Sequence, residues 1–424
     1  MAKHLIATTC LVLAAAAWSG PGRAATTNYS LLTTITVPVS AANSQGGKFN
    51  SFDISYVDPL TGYYYVADRS NASVDIVNGA TNRVVAQAGG FVGQQATTSI
   101  SGPDGVVVVN NGGAVTLYAG DGGSALRSFN VTDPANPIAL GTVNTGGGAF
   151  RVDEMAYSPA TSQIFAANNA NSPAYASLIS ATPPTPSLTA TNITVPNQIP
   201  SGGLEQSVWN PVTGTFFVSV PTFTGSDAGG VQEFSTNGTA LRSYKFSAFG
   251  ITTCSAAGLT LGASGNLVVG CGTAGSQTVV LNPAGSGSIV AQLGAVSGSD
   301  ELWYDGANGN HYVTGSNTAG DRVIDVFSDS GYALLQSIDL TAAGFGKSNL
   351  HSVAVDPLDD EIFVPITASS ETFPNTGCVN GCIAVFAQTQ SVPEPGSATL
   401  VLTALAGTLG ILALRRPRGQ TKAT

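Results

Sequence analysis

From residue 30 to residue 390 the hydrophobic positions show no sustained 3.6-residue period. They fall instead into short β-branched and aromatic runs separated by clusters of Gly, Pro, Asn and Asp. Runs of that length between turn-forming residues read as strands, so the pattern predicts an all-β chain. Self-comparison sharpens this. The stretch from Tyr56 through Pro59 and Gly62 to Val66 recurs at 157–165 around Pro159, at 209–218 around Pro211 and at 355–364 around Pro357. Looser copies surround Pro103, Gly262 and Gly306. Each copy is a strand, a turn and a second strand, and successive turn anchors are 44 to 56 residues apart.

Two more strands fit each interval, at 73–77 and 83–87 in the first. Four strands per unit at this period is the arithmetic of a β-propeller blade, and seven units predict a seven-bladed ring. The last unit holds three candidate strands, ending at 382–386, and the missing fourth is available at 31–37. Closure by that N-terminal strand removes the open edge a linear array would expose. The first unit, from Gly62 through Tyr63, Tyr64, Tyr65, Val66 and Asp68 to Val85, resembles the YVTN-type seven-bladed β-propellers. That group takes in lactonase-like and amine-dehydrogenase-like propellers. The likeness is good in units 1, 3, 4 and 7 and loose in 2, 5 and 6. It implies fold more than activity, because propellers host many unrelated functions.

Two stretches stand outside the repeat. Lys3 and His4 precede an apolar run over 5–18, followed by Gly22, Arg23, Ala24 and Ala25. A basic start, an apolar core short of the roughly 20 residues of a spanning helix, and small residues at the exit predict a signal peptide over 1–24. At the other end Pro393, Glu394 and Pro395 precede an apolar stretch over 398–414 and the cluster Arg415, Arg416 and Arg418. That stretch suits a short transmembrane helix with its basic flank in the cytoplasm. The three parts in this order, over 391–418, resemble the PEP-CTERM sorting signal. The resemblance implies a Gram-negative bacterium and an exosortase that recognises the tail at the inner membrane and cleaves near Pro395. The product would then reside at the cell surface or in the extracellular matrix, linked with exopolysaccharide. A plain tail anchor is the alternative. On either reading the propeller domain, 25–390, is exported.

Composition changes the picture in one respect. Only 9% of the 424 residues are charged and 43% are hydrophobic, the opposite of the balance that disorder requires. The formal net charge is −10, but six of the 15 basic residues lie outside the repeat region, which carries 24 acidic against 9 basic side chains. So acidic a domain lacks the basic surface that neutralises phosphates, which argues against a nucleic-acid partner.

Aligned on the turn anchors, the position six residues earlier reads Asp53, Thr97, Asp153, Glu205, Ala256, Asp300 and His351. Glu154 and Glu301 follow one residue later. This is the predicted start of each innermost strand, at the mouth of the central channel, and three readings of it stay open. Convergent carboxylates could hold Ca²⁺, with His351 at the margin. His351 could act as a base beside a carboxylate, as in lactone hydrolysis. The acidic groups could instead cap strand starts and tie blades together. No Ser nucleophile motif or phosphate loop supports catalysis. His311 reads as a packed or exposed residue rather than a ligand, and Asp321, Asp325 and Asp329 as a solvated edge. Cys10 leaves with the signal, and the four remaining cysteines predict two disulfides, Cys254–Cys271 and Cys378–Cys382. The expected product is an exported, monomeric, non-catalytic binding propeller. A lactonase-like propeller enzyme using the carboxylate and His ring is the alternative.

Overall fold

The computed structural model describes residues 28–181, 190–200, 202–294, 296–348, 350–369 and 376–388. The signal segment 1–24 and the sorting segment 391–418 lie outside them, including Pro393, Glu394, Pro395, Arg415, Arg416 and Arg418. Among the described residues, no helix is long and apolar enough to cross a membrane.

The described residues form seven four-stranded antiparallel sheets. Their innermost strands are Phe52–Val57, Val106–Asn110, Met155–Ser158, Ser207–Asn210, Ala256–Leu261, Leu302–Asp305 and Ala354–Asp356. We number the blades 1 to 7 in that order. Each innermost strand touches the next, and the seventh returns to the first, so the ring is closed. Blade 7 takes its outermost strand from the N-terminus: Tyr29–Ile35 pairs with Cys382–Gln388, Ile35 opposite Ile383. The seven-bladed ring and its N-terminal closure are as the repeat predicts.

The strand chemistry follows from this packing. Blades stack face to face, so inner strands are covered on both sides and read as near-continuous apolar runs. Thr215–Val220 is buried at every position. The outermost strand Ser288–Leu293 alternates between exposed and covered positions, with one face toward solvent. Separate apolar clusters fill the spaces between neighbouring blades; Phe165 of blade 3 stacks on Phe216 of blade 4 at 5.3 Å.

In blades 1, 4, 6 and 7 the recurring turn has its cause in the residue before the anchor. Asp58 Oδ1 accepts from Leu60 N at 3.1 Å, Asn210 Oδ1 from Val212 N at 2.9 Å, and Asp305 Oδ1 from Ala307 N at 2.8 Å. Asp356 Oδ1 accepts from Leu358 N at 2.9 Å. A short polar side chain bonding the backbone two residues on closes the turn, and a following Pro pre-sets its φ. Blade 2 departs from the predicted anchor at Pro103. Pro103 precedes the innermost strand Val106–Asn110, and the matching turn begins at Asn110, whose Oδ1 accepts from Gly112 N at 3.0 Å. Thr97 therefore starts no strand; it stands before a short 3₁₀ turn, Thr98–Ile100.

Candidate functional site

The segments leading into the innermost strands bring Asp53, Asp153, Glu154, Glu205, Asp300, Glu301 and His351 toward one end of the channel. Three residues join them that alignment on the turns did not show: Asp104, Arg69 and Arg151. Arg69 follows the second strand of blade 1, Tyr63–Asp68. Its guanidinium bonds both Asp53 and Asp104, with Nε 2.8 Å from Asp104 Oδ1. Arg151 Nη2 lies 2.6 Å from Asp153 Oδ2, and Nη1 lies 4.0 Å from Asp53 and 3.9 Å from Asp104.

This splits the ring into two electrostatically different parts. In the first, Asp53, Asp104 and Asp153 share two guanidinium charges. Burial pushes the Asp53 carboxyl up, but Arg69 and Arg151 overcome it and hold the group well below the usual carboxylate range. Asp153, buried and facing Asp53 as well as Arg151, is pushed up to about 6. His351 Nε2 sits 3.4 Å from Asp53 Oδ1, and its ring packs against Phe52 at 4.9 Å.

The second part is Glu154, Glu205 and Asp300. One oxygen from each lies within 4.8 Å of the others. None makes an ion pair within 4.0 Å among the described residues; Glu205 accepts one long hydrogen bond, 3.5 Å from Asn169 Nδ2. Glu154 is 2% exposed and its Oε2 accepts no hydrogen bond. Burial, then repulsion from the neighbouring carboxylates, pushes Glu154 and Glu205 well above the usual range. Burial raises Asp300 too, against the pull of His351. Glu205 and Asp300 border an open polar cavity of about 560 Å³, lined also by Arg151, Asn169, Ser255 and Gly272, while Glu154 lies on the channel side, at the edge of a second cavity.

The remaining candidates are structural ties. Glu301 is buried and accepts from Ser55 N at 3.2 Å and from Ser352 Oγ, binding blades 1, 6 and 7. Gln206, one residue beyond Glu205, accepts from Leu259 N at 2.5 Å and Leu302 N at 2.9 Å. His311 is fully buried, with Nδ1 3.0 Å from Thr260 Oγ1 and Nε2 3.0 Å from Asp329 Oδ1. The solvated edge expected at Asp325 and Asp329 is corrected: both are buried, because the strand Arg322–Ser328 lies inside blade 6 and Asp329 is drawn onto His311 and Ser264. Cys254–Cys271 and Cys378–Cys382 are disulfides, with Cα separations of 4.6 and 5.0 Å. The first pins Ser255 and Gly272 at the rim of the polar cavity.

A second cavity, of about 570 Å³, is lined by the bodies and exit ends of six innermost strands. Five aromatic residues border it: Tyr56, Tyr157, Trp209, Trp303 and Tyr304. Tyr56 and Trp303 meet edge to face at 5.4 Å. Trp209 Nε1 is buried and donates to nothing among the described residues. Sequence reasoning missed this site, although Tyr157, Trp209 and Tyr304 each stand two residues before a turn anchor.

No family profile and no curated protein matches the sequence. Similar solved structures include the β-propeller domain of Cps50 (Swd1) from Myceliophteria thermophila, at TM-score 0.59 and 12% identity, covering 85% of this chain and 100% of that one. A chain of the mitotic checkpoint complex aligns at TM-score 0.55 and 12% identity, covering 90% of this chain and 99% of that one. Raptor from Chaetomium thermophilum aligns at TM-score 0.58 and 10% identity over 86% of this chain, which spans 29% of Raptor's length. At such identities the likeness establishes the propeller fold alone.

Proposed function

We propose that the chain is an exported, exosortase-sorted propeller of YVTN-like type that binds polysaccharide at the surface or in the matrix of a Gram-negative bacterium, without a catalytic step. The observation that carries this is the aromatic cavity. A sugar ring has an apolar C–H face and a polar rim, and Tyr and Trp offer flat apolar faces with a polar edge. Tyr56, Tyr157, Trp209, Trp303 and Tyr304 border one concavity of about 570 Å³, in the size range of small-ligand sites. A propeller fold suits an interaction scaffold in general. Export is supported by two disulfides, which fit an oxidising compartment, and by the Pro393–Pro395 motif, apolar stretch and Arg cluster of the tail.

Calorimetry of the exported protein with the host's exopolysaccharide and its oligosaccharides tests the reading. Trp209→Ala and Trp303→Ala should each weaken binding, by roughly 1–3 kcal/mol if an aromatic anchor is lost. Binding unchanged in both variants would sink it. Mass spectrometry should find the exported chain ending near Pro395; an intact Arg415–Arg418 tail contradicts sorting by cleavage. The His351–Asp53 contact favours a second reading, a lactonase-like enzyme with His351 as base. Equal lactone hydrolysis by the wild type and His351→Ala would remove it.

A further inference from the structure

We propose that Glu154, Glu205 and Asp300 form a binding site for one divalent, oxygen-preferring cation of the calcium type at the channel mouth. The three residues come from the segments entering blades 3, 4 and 6 and offer one oxygen each within 4.8 Å of the others. Ca²⁺ binds oxygens at about 2.3–2.6 Å, so ligands on opposite sides of one ion stand roughly 5 Å apart. All three oxygens can therefore reach a single ion. The set holds no thiol or imidazole, which selects a hard cation over a soft one. Mg²⁺ demands a tight octahedron and gives up its waters reluctantly, so a looser set of carboxylates on separate segments favours Ca²⁺.

The second observation is Glu154 itself. A carboxylate 2% exposed with an oxygen accepting no hydrogen bond is costly unless a positive charge meets it. The chain supplies that charge elsewhere in the ring: Arg69 is committed to Asp53 and Asp104, and Arg151 to Asp153. The trio makes no ion pair among the described residues; Glu301, which makes none either, has its carboxylate met by Ser55 N and Ser352 Oγ, whereas Glu154 Oε2 is met by nothing. Glu205 and Asp300 also border the open 560 Å³ cavity, which gives an ion access from solvent and leaves room for water ligands. The neighbouring set of Asp53, Asp300 and His351 is equally compact, but its Asp53 charge is already taken by Arg69.

Glu154 also lines the aromatic cavity, but none of that cavity's aromatic residues belongs to the trio, so the calcium and polysaccharide readings can fail separately. The full-length chain, stripped with EGTA and titrated with CaCl₂ by calorimetry, should bind one Ca²⁺ with a Kd of roughly 10⁻⁴–10⁻³ M, the range of extracellular calcium modules. Its Tm should rise with calcium. Glu154→Gln and, separately, Asp300→Asn should each lose about tenfold or more in calcium affinity. Glu154→Gln should also raise the calcium-free Tm, since it removes a buried repulsion. Asp339→Asn, an exposed carboxylate in the outermost strand of blade 6, should titrate like the wild type. Trp209→Ala should lose polysaccharide and keep calcium, which separates failure of one reading from failure of the other. No calcium heat and no Tm shift in the wild type, or full affinity in both Glu154→Gln and Asp300→Asn, overturns the site.

Discussion

The guanidinium of Arg69 lets carboxylates from neighbouring blades share one end of a narrow channel. It is 4% exposed and bonds Asp53 and Asp104 together, so its loss strands two buried negative charges. Breaking a buried pair by removing one partner costs about 3–5 kcal/mol. Arg69→Met should therefore lower the denaturation midpoint far more than Arg127→Met. Arg127 is 30% exposed, and only its Asp121 partner is fully buried. Matching midpoints for the two variants would show that Arg69 is not the keystone of the ring. The carboxylate half of this site was legible in the sequence because Asp53, Asp153, Glu205, Asp300 and His351 share one column of the repeat. The cationic half was not. Arg69 sits at the end of a second strand, and Arg151 stands ahead of its blade, so neither falls in that column. Asp104 was hidden by Pro103, which imitates a turn anchor in front of the strand rather than behind it.

At the scale of the element, the entry of blade 2 into the ring depends on having no side chain. A Cβ on Gly105 would lie 2.1 Å from the carbonyl oxygen of Asp153 and 2.9 Å from Glu154 Cα. Both neighbours are backbone, and the segment they form carries the candidate ligands. Gly105→Ala must push that segment away, at an overpacking cost of roughly 1–3 kcal/mol, and should weaken calcium binding without touching a ligand. Gly113→Ala is the matched control, because nothing lies within 4 Å of its Cβ position; it should stay within about 0.5 kcal/mol of the wild type. Chemical denaturation of the two variants checks the contrast, and an equally silent Gly105→Ala would rule out the tight approach. Strand order and the two disulfides could be read from the repeat, since Cys254 and Cys271 flank a predicted hairpin. The burial of Asp325 and Asp329 could not, because Asp325 is covered by the neighbouring strands of blade 6 and Asp329 is held by Ser264 and His311, which the fold brings from blade 5 and the adjoining strand.

For the whole molecule, closure and charge set the stability. Tyr29–Ile35 covers the edge of Cys382–Gln388, and Tyr29 Oη reaches Tyr312 Oη at 2.8 Å and Asp360 Oδ1 at 2.6 Å, joining blades 6 and 7. A chain lacking residues 29–35 presents an unpaired apolar edge and should associate, seen as dimers or larger species by size-exclusion chromatography; a clean monomer would contradict closure by this strand. Charge acts through pH. A carboxyl raised in the folded state keeps its proton there after the unfolded chain has released its own. The unfolded state then binds fewer protons, and stability falls as pH rises through that window. For Asp153 the window runs from 3.8 to about 6, and buried Asp68 shares it. Glu154, Glu205 and Asp300, shifted the same way by burial first, extend the fall upward. Asp53 and Asp329 are shifted down, so their contribution is lost only below the ordinary carboxylate pKa and does not offset the fall. The calcium-free protein should therefore lose Tm from about pH 4 to about pH 6 and go on losing it as the trio ionises above that. Calcium binds the ionised trio of the folded chain, so its stabilisation grows over the same interval and should flatten the decline. Paired melting curves with EGTA and with saturating CaCl₂ measure this. A calcium-free Tm that climbs steadily across that range would mean that the trio is already compensated by charges within the chain.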